Sequence, residues 1–324
     1  MPLPHFFLIG APKAGTTALH AALATHPQLS MSRVKEPKFF LGDGTAPPPR
    51  PAGPGDAHSA QEHVWRRSDY EALWPDRDGA LRGESTPFYL SDPDALDRIA
   101  AAVPDARLIA VLRHPVDRAY SNWAHLWADG LEPLSDFAAA CADEERRAAE
   151  GWAPFWRYLG LGGYGEQLAA VLERFPGDQL HVLRYRDLVD EPAAALQGIC
   201  TFLGIEPDAV VDVPSENVTT YVPPSTTTKV LQAAVRSGAS LGQFLPPQVW
   251  RRASAPLLSA LRRSGGHRPE LTTADRARLL ARFDDDIAVL ERLTDQSFAD
   301  WRVQSAEGTY SVRRSWALSG RVAS

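Results

Sequence analysis

Phe6-Phe7-Leu8-Ile9-Gly10-Ala11-Pro12-Lys13-Ala14-Gly15-Thr16-Thr17 is the stretch whose reading decides the fold. An apolar run of strand character feeds a glycine-bounded loop, and Ala18-Leu19-His20-Ala21-Ala22-Leu23 then continues as helix. A strand–loop–helix junction gathers backbone N–H groups at a helix N-terminus, where they attract an anion. The spacing from Gly10 to Gly15 is that of a phosphate-binding loop. An ATPase loop of this type ends in Gly-Lys-Ser/Thr. Here Gly15 is followed by Thr16-Thr17, and the lysine, Lys13, sits inside the loop. The loop is suited to a phosphate-bearing nucleotide and not to ordinary ATP hydrolysis.

Working outward, Arg107–Leu112 and Gln179–Arg184 are short runs of buried-strand type, and Leu81–Glu84 is a weaker one. Each leads into a helical pattern, or into a loop that reaches one, which predicts βα units on a parallel sheet. Pro115 is placed as a first helical residue, with Ala119, Trp123, Leu126 and Trp127 following at helical spacing. Pro192 opens another helix that Gly204 ends. A last helix is predicted from Thr272-Thr273-Ala274-Asp275 onward, with Leu279, Leu280, Phe283, Ile287, Leu290 and Leu293 as its apolar stripe. The fold class is therefore α/β: one P-loop-like three-layer domain, a central parallel sheet flanked by helices. The domain is expected over 1–301, with a Pro/Gly-rich loop at 42–66, a helical insertion at 129–163 and a loosely ordered basic tail at 302–324. A second loop, Asn217 to Thr228, is marked by Pro223-Pro224 and several threonines.

Composition bounds the function. The chain has 324 residues, 44% of them hydrophobic and 23% charged, which suits a soluble globular protein with a sizeable core. A net charge of −6 argues against a surface that clamps nucleic acid or another long polyanion. The two cysteines, Cys141 and Cys200, sit in unrelated contexts, which fits a reducing compartment. The first strand begins too early for a signal peptide, and no apolar run approaches the ~20 residues of a membrane span. A cytoplasmic protein without an integral membrane segment is expected. The acidic run Asp284-Asp285-Asp286 is expected to be a solvated helix face, and no metal site is expected.

A second constellation is Arg113-His114-Pro115-Val116-Asp117-Arg118-Ala119-Tyr120-Ser121. Arg113 lies at the C-terminal end of a predicted parallel strand, where open α/β sheets bind ligands. Ser121 is eight positions on, about two helical turns. Arg118, Ser121 and His125 are expected on one helix face. A guanidinium and a hydroxyl converging on one spot suit a phosphate monoester.

Two phosphate sites in one chain point to a family. Pro12-Lys13-Ala14-Gly15-Thr16-Thr17 resembles the 5′-phosphosulfate loop of sulfotransferases, and Arg113 through Ser121 resembles their 3′-phosphate motif. Val34-Lys35-Glu36-Pro37-Lys38-Phe39-Phe40 is similar to a segment of the heparan-sulfate-type and bacterial members. So is Gly83-Glu84-Ser85-Thr86-Pro87-Phe88-Tyr89-Leu90. Val182–Leu188, Phe202-Leu203-Gly204 and Phe298-Ala299-Asp300-Trp301 also fit, so the likeness runs over about residues 5–301.

The resemblance implies a PAPS-dependent sulfotransferase, with 3′-phosphoadenosine 5′-phosphosulfate (PAPS) as donor and no metal. Lys13 and Glu36 are the implied catalytic residues. Lys13, Ala14, Gly15, Thr16, Thr17, Arg113 and Ser121 are the implied donor-binding residues, with Arg268 the nearest match to an element that closes over the 3′-phosphate. Glu36 is the base by resemblance; a salt bridge with Lys35 or Lys38 is its other reading, and His26 and His125 are rival bases. Ser85 stands where many relatives have lysine, and Arg186 where a glutamate is usual. The aromatic group Trp123, Trp127, Trp152, Phe155, Trp156 and Tyr158 is expected mostly as core of the insertion. The acidic net charge favours as acceptor the hydroxyl, less so the amine, of a small metabolite, sugar or glycolipid over a long polyanion. No oligomeric state is read from the sequence. A P-loop kinase-like phosphotransferase and a non-catalytic nucleotide-binding protein are the alternatives on the same scaffold.

Overall fold

The computed structural model describes residues 3–47, 52–54, 63–75, 79–207, 221–242, 254–259, 261, 266 and 269–302. Five short apolar runs pair side by side in it: β1 (Phe6–Gly10), β2 (Leu29–Met31), β3 (Leu81–Ser85), β4 (Arg107–Leu112) and β5 (Leu180–Arg184). Their order is β2-β3-β1-β4-β5, and every pairing is parallel. Every residue of β1 is buried, as expected of a central strand covered on both faces. β5, at one edge, is only half-buried along most of its length.

Helices flank this sheet. Thr16–Ala24 packs on β1, β2 and β3. Pro93–Ala102 packs against Tyr164–Leu172, which in turn packs against Asp284–Thr294. Prolines open two helices as predicted, Pro115 behind His114 and Pro192 behind Glu191, and Pro93 opens a third behind the Asp92 cap. Gly204 ends its helix at φ 69, a left-handed position that favours glycine.

The structure differs from the sequence reading at several points. β2 went unpredicted, because three residues are too few to show a period. The last predicted helix is two, Thr273–Leu280 and Asp284–Thr294, joined by a 3₁₀ turn at Ala281–Phe283. Asp286 is not a solvated side chain. Its carboxylate accepts the N–H groups of Gly165 (2.9 Å) and Glu166 (3.0 Å), and so fixes the start of the Tyr164–Leu172 helix.

The segment expected as a helical insertion carries the helices Phe137–Ala142 and Glu144–Ala149. A buried charge network ties it together. Arg147 grips Glu132 with both terminal nitrogens at 2.8 Å, and its Nε reaches Asp143 at 2.9 Å. The Tyr158 hydroxyl donates to Glu132, and Leu134 N–H does so at 2.8 Å. Glu132 and Arg147 are essentially unexposed. Removing one partner of such a pair leaves a buried charge unmatched. Glu132→Ala is therefore expected to cost about 3–5 kcal/mol of stability, read from urea unfolding.

The loop expected at 42–66 is described only in part. Gly53 lies at φ 64 against Trp152 of the insertion, so close that an added Cβ would sit 2.5 Å from the indole. Of the second predicted loop, 217–220 lie outside the described residues, and a helix already begins at Thr226. Of the expected tail, 303–324 lie outside them too.

Candidate functional site

The two sequence constellations follow neighbouring strands. β1 and β4 are paired, and the loop after β1 is tied back to β4 by Ala11 N–H donating to the Val111 carbonyl (2.7 Å). Ligands bind such sheets beyond the C-terminal ends of the strands, where the strand order reverses. Here that place is the end of β1, with β3 on one side and β4 on the other.

Within the loop, Lys13 lies at φ 67 and Gly15 at φ 81, with Ala14 between them. Ala14 N–H turns back to the Ala11 carbonyl (3.2 Å), and the left-handed residues on either side of it give the tight turn of an anion-binding loop. The helix starting at Thr16 has no side-chain cap, which leaves its first-turn N–H groups open to a ligand. Gly15 is needed twice over. Its φ is left-handed, and a Cβ there would stand 2.9 Å from the Tyr185 ring.

Arg113 is joined to this loop directly. Its Nη1 donates to the Lys13 carbonyl (3.0 Å), and its guanidinium lies 4.7 Å from the centre of the Tyr185 ring. The Arg113 carbonyl accepts the Tyr164 hydroxyl (2.9 Å). Ser121 is half-buried two turns along the helix Pro115–Ala128, and its hydroxyl makes no hydrogen bond with the described residues. Arg118, expected beside Ser121 and His125, turns the other way. It is fully buried and donates to the Tyr158 carbonyl. A helical wheel cannot foresee this, because the segment that carries Tyr158 covers that side of the helix. Arg268 lies outside the described residues. Gly266, near it in sequence, donates to the Tyr221 carbonyl (2.8 Å), and the Pro269 carbonyl accepts the hydroxyl of Tyr120, the neighbour of Ser121.

Glu36 reaches the site from the loop after β2. Pairing with β3 continues past the strand: Ser32 N–H donates to the Gly83 carbonyl and Glu36 N–H to the Ser85 carbonyl, both at 2.9 Å. Lys38 N–H then meets the Thr86 hydroxyl at 3.3 Å, and Phe40 N–H the Tyr89 hydroxyl at 3.1 Å. Beneath them Glu84 is wholly buried and accepts the Tyr70 hydroxyl at 2.6 Å. Burial pushes the Glu84 carboxyl up to about 7, against hydrogen bonds from Tyr70, Tyr89 and Thr86 that favour its ionised form. Glu36 and Lys38 are held in left-handed backbone, at φ 61 and φ 62. With Lys13 they are three of the four non-glycine residues of this kind among the described residues. Such conformations are unfavourable and cluster at functional sites.

The Glu36 side chain is bonded to the Lys35 ammonium. Burial pushes its carboxyl up. The ammonium groups of Lys35, Lys38 and Lys13 outweigh burial and hold it below the ordinary carboxylate range. The salt bridge weighed for Glu36 is thus present, and the charge of Lys13 reaches the same carboxylate. Of the rival bases, His26 is fully buried, with Nε2 bonded to the Glu206 carbonyl (2.8 Å) and Nδ1 accepting from Gln28 N–H (3.1 Å). His125 lies near Asp129 (3.7 Å) and packs on Phe155.

Sequence reasoning passed over His20. It stands one turn after Thr16, and its Nδ1 shares a hydrogen bond of 2.8 Å with Ser85 Oγ. Burial and the nearby Lys35 ammonium push it down to about 4, so the imidazole is neutral at physiological pH. Its spacing from Thr16 was a usable signal; its pairing with Ser85, 65 positions away, was not. Among the described residues no group of three or more His, Cys, Asp or Glu side chains is arranged to hold a metal ion. No helix among them is long and apolar enough to cross a membrane.

Comparison with known proteins identifies the family. Residues 4–209 match the Sulfotransferase family. A sulfotransferase crystal structure from Alicyclobacillus acidocaldarius superposes with a TM-score of 0.72 at 28% identity, covering 94% of this chain and 100% of that one. Mouse heparan sulfate glucosamine 3-O-sulfotransferase 3A1 is 29% identical over 206 residues, 63% of this chain and 46% of the relative. Human bifunctional heparan sulfate N-deacetylase/N-sulfotransferase 2 is 28% identical over 213 residues, 63% of this chain and 22% of the relative. The chain spans less than half the length of these two relatives. The family match covers well over half of the chain, and the protein belongs to the sulfotransferase family.

Proposed function

We propose that this protein moves the sulfonate group of PAPS to an acceptor hydroxyl, with Lys13 and Glu36 as its catalytic residues. One observation carries the reading. Lys13 after β1 and Glu36 after β2 meet in a single charge cluster, at the N-terminus of the first helix. Arg113 adjoins the same loop through the Lys13 carbonyl and Tyr185.

PAPS, when bound, supplies a sulfonate on a phosphate leaving group and a second phosphate on its ribose. Lys13 and the N–H groups of Gly15, Thr16 and Thr17 suit the 5′ end, where negative charge grows as the S–O bond breaks. Donors already aimed at developing charge are the strongest device of this kind. Arg113 and the unengaged Ser121 hydroxyl suit the 3′-phosphate, which ATP lacks. Glu36 takes the acceptor proton. The Lys35 contact makes it a weak base in the free protein. An anion seated against Lys13 would offset part of that positive field and strengthen Glu36 as a base.

The acceptor is read as a small hydroxylated metabolite, sugar or glycolipid, with an amine second. The relatives named for heparan sulfate glucosamine favour a carbohydrate. The net charge of −6 disfavours a long polyanion. Cys141 and Cys200 are both buried and free, which supports a cytoplasmic location. The kinase-like alternative requires Mg·ATP to bind more tightly than 3′-phosphoadenosine 5′-phosphate (PAP). Calorimetric titration is expected to give tighter binding of PAP, with no requirement for magnesium. Preference for Mg·ATP would overturn the reading. Absence of any transfer from labelled PAPS across a carbohydrate and small-molecule panel would favour the non-catalytic one.

A further inference from the structure

Glu84 lies on β3 beside Phe7 of β1 and is wholly buried. Glutamate is almost never fully buried unless paired. The groups that act on this carboxyl are hydroxyls, and none is a cation. The Tyr70 hydroxyl donates to Oε2 at 2.6 Å, and those of Tyr89 and Thr86 are its further donors. Oε1 has no close partner.

These three partners share a second task, because each meets one residue of the turn that follows Glu36. The Thr86 hydroxyl accepts Lys38 N–H at 3.3 Å, and the Tyr89 hydroxyl accepts Phe40 N–H at 3.1 Å. The Tyr70 ring stacks on that of Phe39, with 4.1 Å between centres and 10° between planes. Glu36 itself is held through its N–H by the carbonyl of Ser85, the residue after Glu84. The turn needs this hold. Glu36 and Lys38 lie at φ 61 and φ 62, and such backbone persists only where its surroundings over-determine it. Release of the turn would let the Glu36 carboxylate move relative to Lys13, whose charge now reaches it.

We propose that Glu84 is a positioning residue for Glu36: its buried carboxyl fixes Tyr70, Thr86 and Tyr89 in the places from which they hold the turn at 38–40. It touches neither donor nor acceptor, and the inference rests on the role of Glu36 as the base. The clamp asks for polar atoms at this spot and not for charge. Burial raises the Glu84 carboxyl to about 7, so both of its forms are present at neutral pH. Either form can serve, because a hydroxyl oxygen accepts as well as donates. Glutamine meets the same hydroxyls with an acceptor oxygen and an amide donor, whereas methionine, unbranched and of similar length, offers them only a weakly accepting sulfur.

Glu84→Met is expected to lower kcat for sulfonate transfer by about 10–100-fold, the effect of a small misplacement of a reacting group. PAP affinity is expected to stay within about threefold, because the anion loop is tied to β4 and Arg113 and not to Glu84. In a Glu36→Gln background the same change is expected to cost less than about threefold further, since residues that act as a unit are not additive. Glu84→Gln is expected to keep kcat within about threefold of wild type. Tyr89→Phe keeps the ring but removes the acceptor of Phe40 N–H; it is expected to lower kcat at least about threefold at unchanged PAP affinity, and it decides the matter should Glu84→Met not fold. Transfer from labelled PAPS to the panel acceptor that turns over fastest, and calorimetry with PAP, both on the full chain, read all of this. Wild-type kcat in Glu84→Met or in Tyr89→Phe would overturn the proposal. So would a fall in PAP affinity parallel to that in kcat, a loss in the Glu36→Gln background as large as in the wild type, or a Glu84→Gln as impaired as Glu84→Met. Full activity of Glu36→Gln would instead strike the role of Glu36 on which the proposal rests.

Discussion

Glu36→Gln is expected to lower kcat for sulfonate transfer by about 10²–10⁴-fold while leaving PAP affinity within about threefold. Glutamine keeps the volume and one hydrogen-bond acceptor for Lys35, so the left-handed loop has no new reason to move. It cannot take a proton. The pH dependence gives a second readout. Burial raises the Glu36 carboxyl and the ammonium groups of Lys35, Lys38 and Lys13 lower it further, so its pKa in the free protein lies below the ordinary value. A base must be ionised, and Glu36 is ionised at every pH above that lowered pKa. The acid limb of kcat/KM is therefore expected below the usual glutamate value of about 4.3. The limb of kcat, which reports the occupied enzyme, is expected at higher pH than that of kcat/KM, because the donor anion offsets the lysines. A kcat/KM limb between pH 6 and 7 would point to a histidine of ordinary pKa and remove Glu36 from its role. His20, held neutral down to about 4, is not such a group.

Lys13→Ala is expected to lower kcat by about 10²–10³-fold, the cost of losing one donor from a preorganised anion site. The fold should survive. The bond that joins the loop to Arg113 uses the Lys13 carbonyl and not its side chain. Alanine at φ 67 remains strained, however, so Lys13→Gly is the informative partner. Glycine relieves the left-handed position by about 1–2 kcal/mol. Lys13→Gly should thus be the more stable of the two and equally impaired. Activity recovering in step with stability would mean that loop geometry, and not the ammonium group, is what the reaction needs.

The parts of the site that could be read in the sequence are those whose geometry is local. Lys13 to Thr17 lie on one strand-to-helix turn, and Arg113 and Ser121 lie on another, one just after β4 and the other within the helix that follows. Strands β1, β3, β4 and β5 could be read for the same reason, since each carries its own apolar run. What could not be read depends on which distant segment covers which face. Helical spacing puts Arg118 on one face with Ser121 and His125, whereas its guanidinium is buried on the Tyr158 carbonyl. His20 and Ser85 come from separate strand–helix units. Asp286 looked like one of three solvated acids, yet it caps a helix that lies 120 residues earlier. The Tyr185 ring, the contact shared by Gly15 and Arg113, belonged to a quoted segment, but nothing in that segment indicated which way the ring would point.

That ring has a consequence for selectivity. It lies against both Gly15 and the Arg113 guanidinium, so the two proposed anion sites cannot shift apart independently. Together they act as a gauge of fixed span. Nucleotides would be sorted by the separation of their two phosphorus groups before any base is inspected, so a 2′-phosphate isomer with the same charge and the same adenine would be the wrong length.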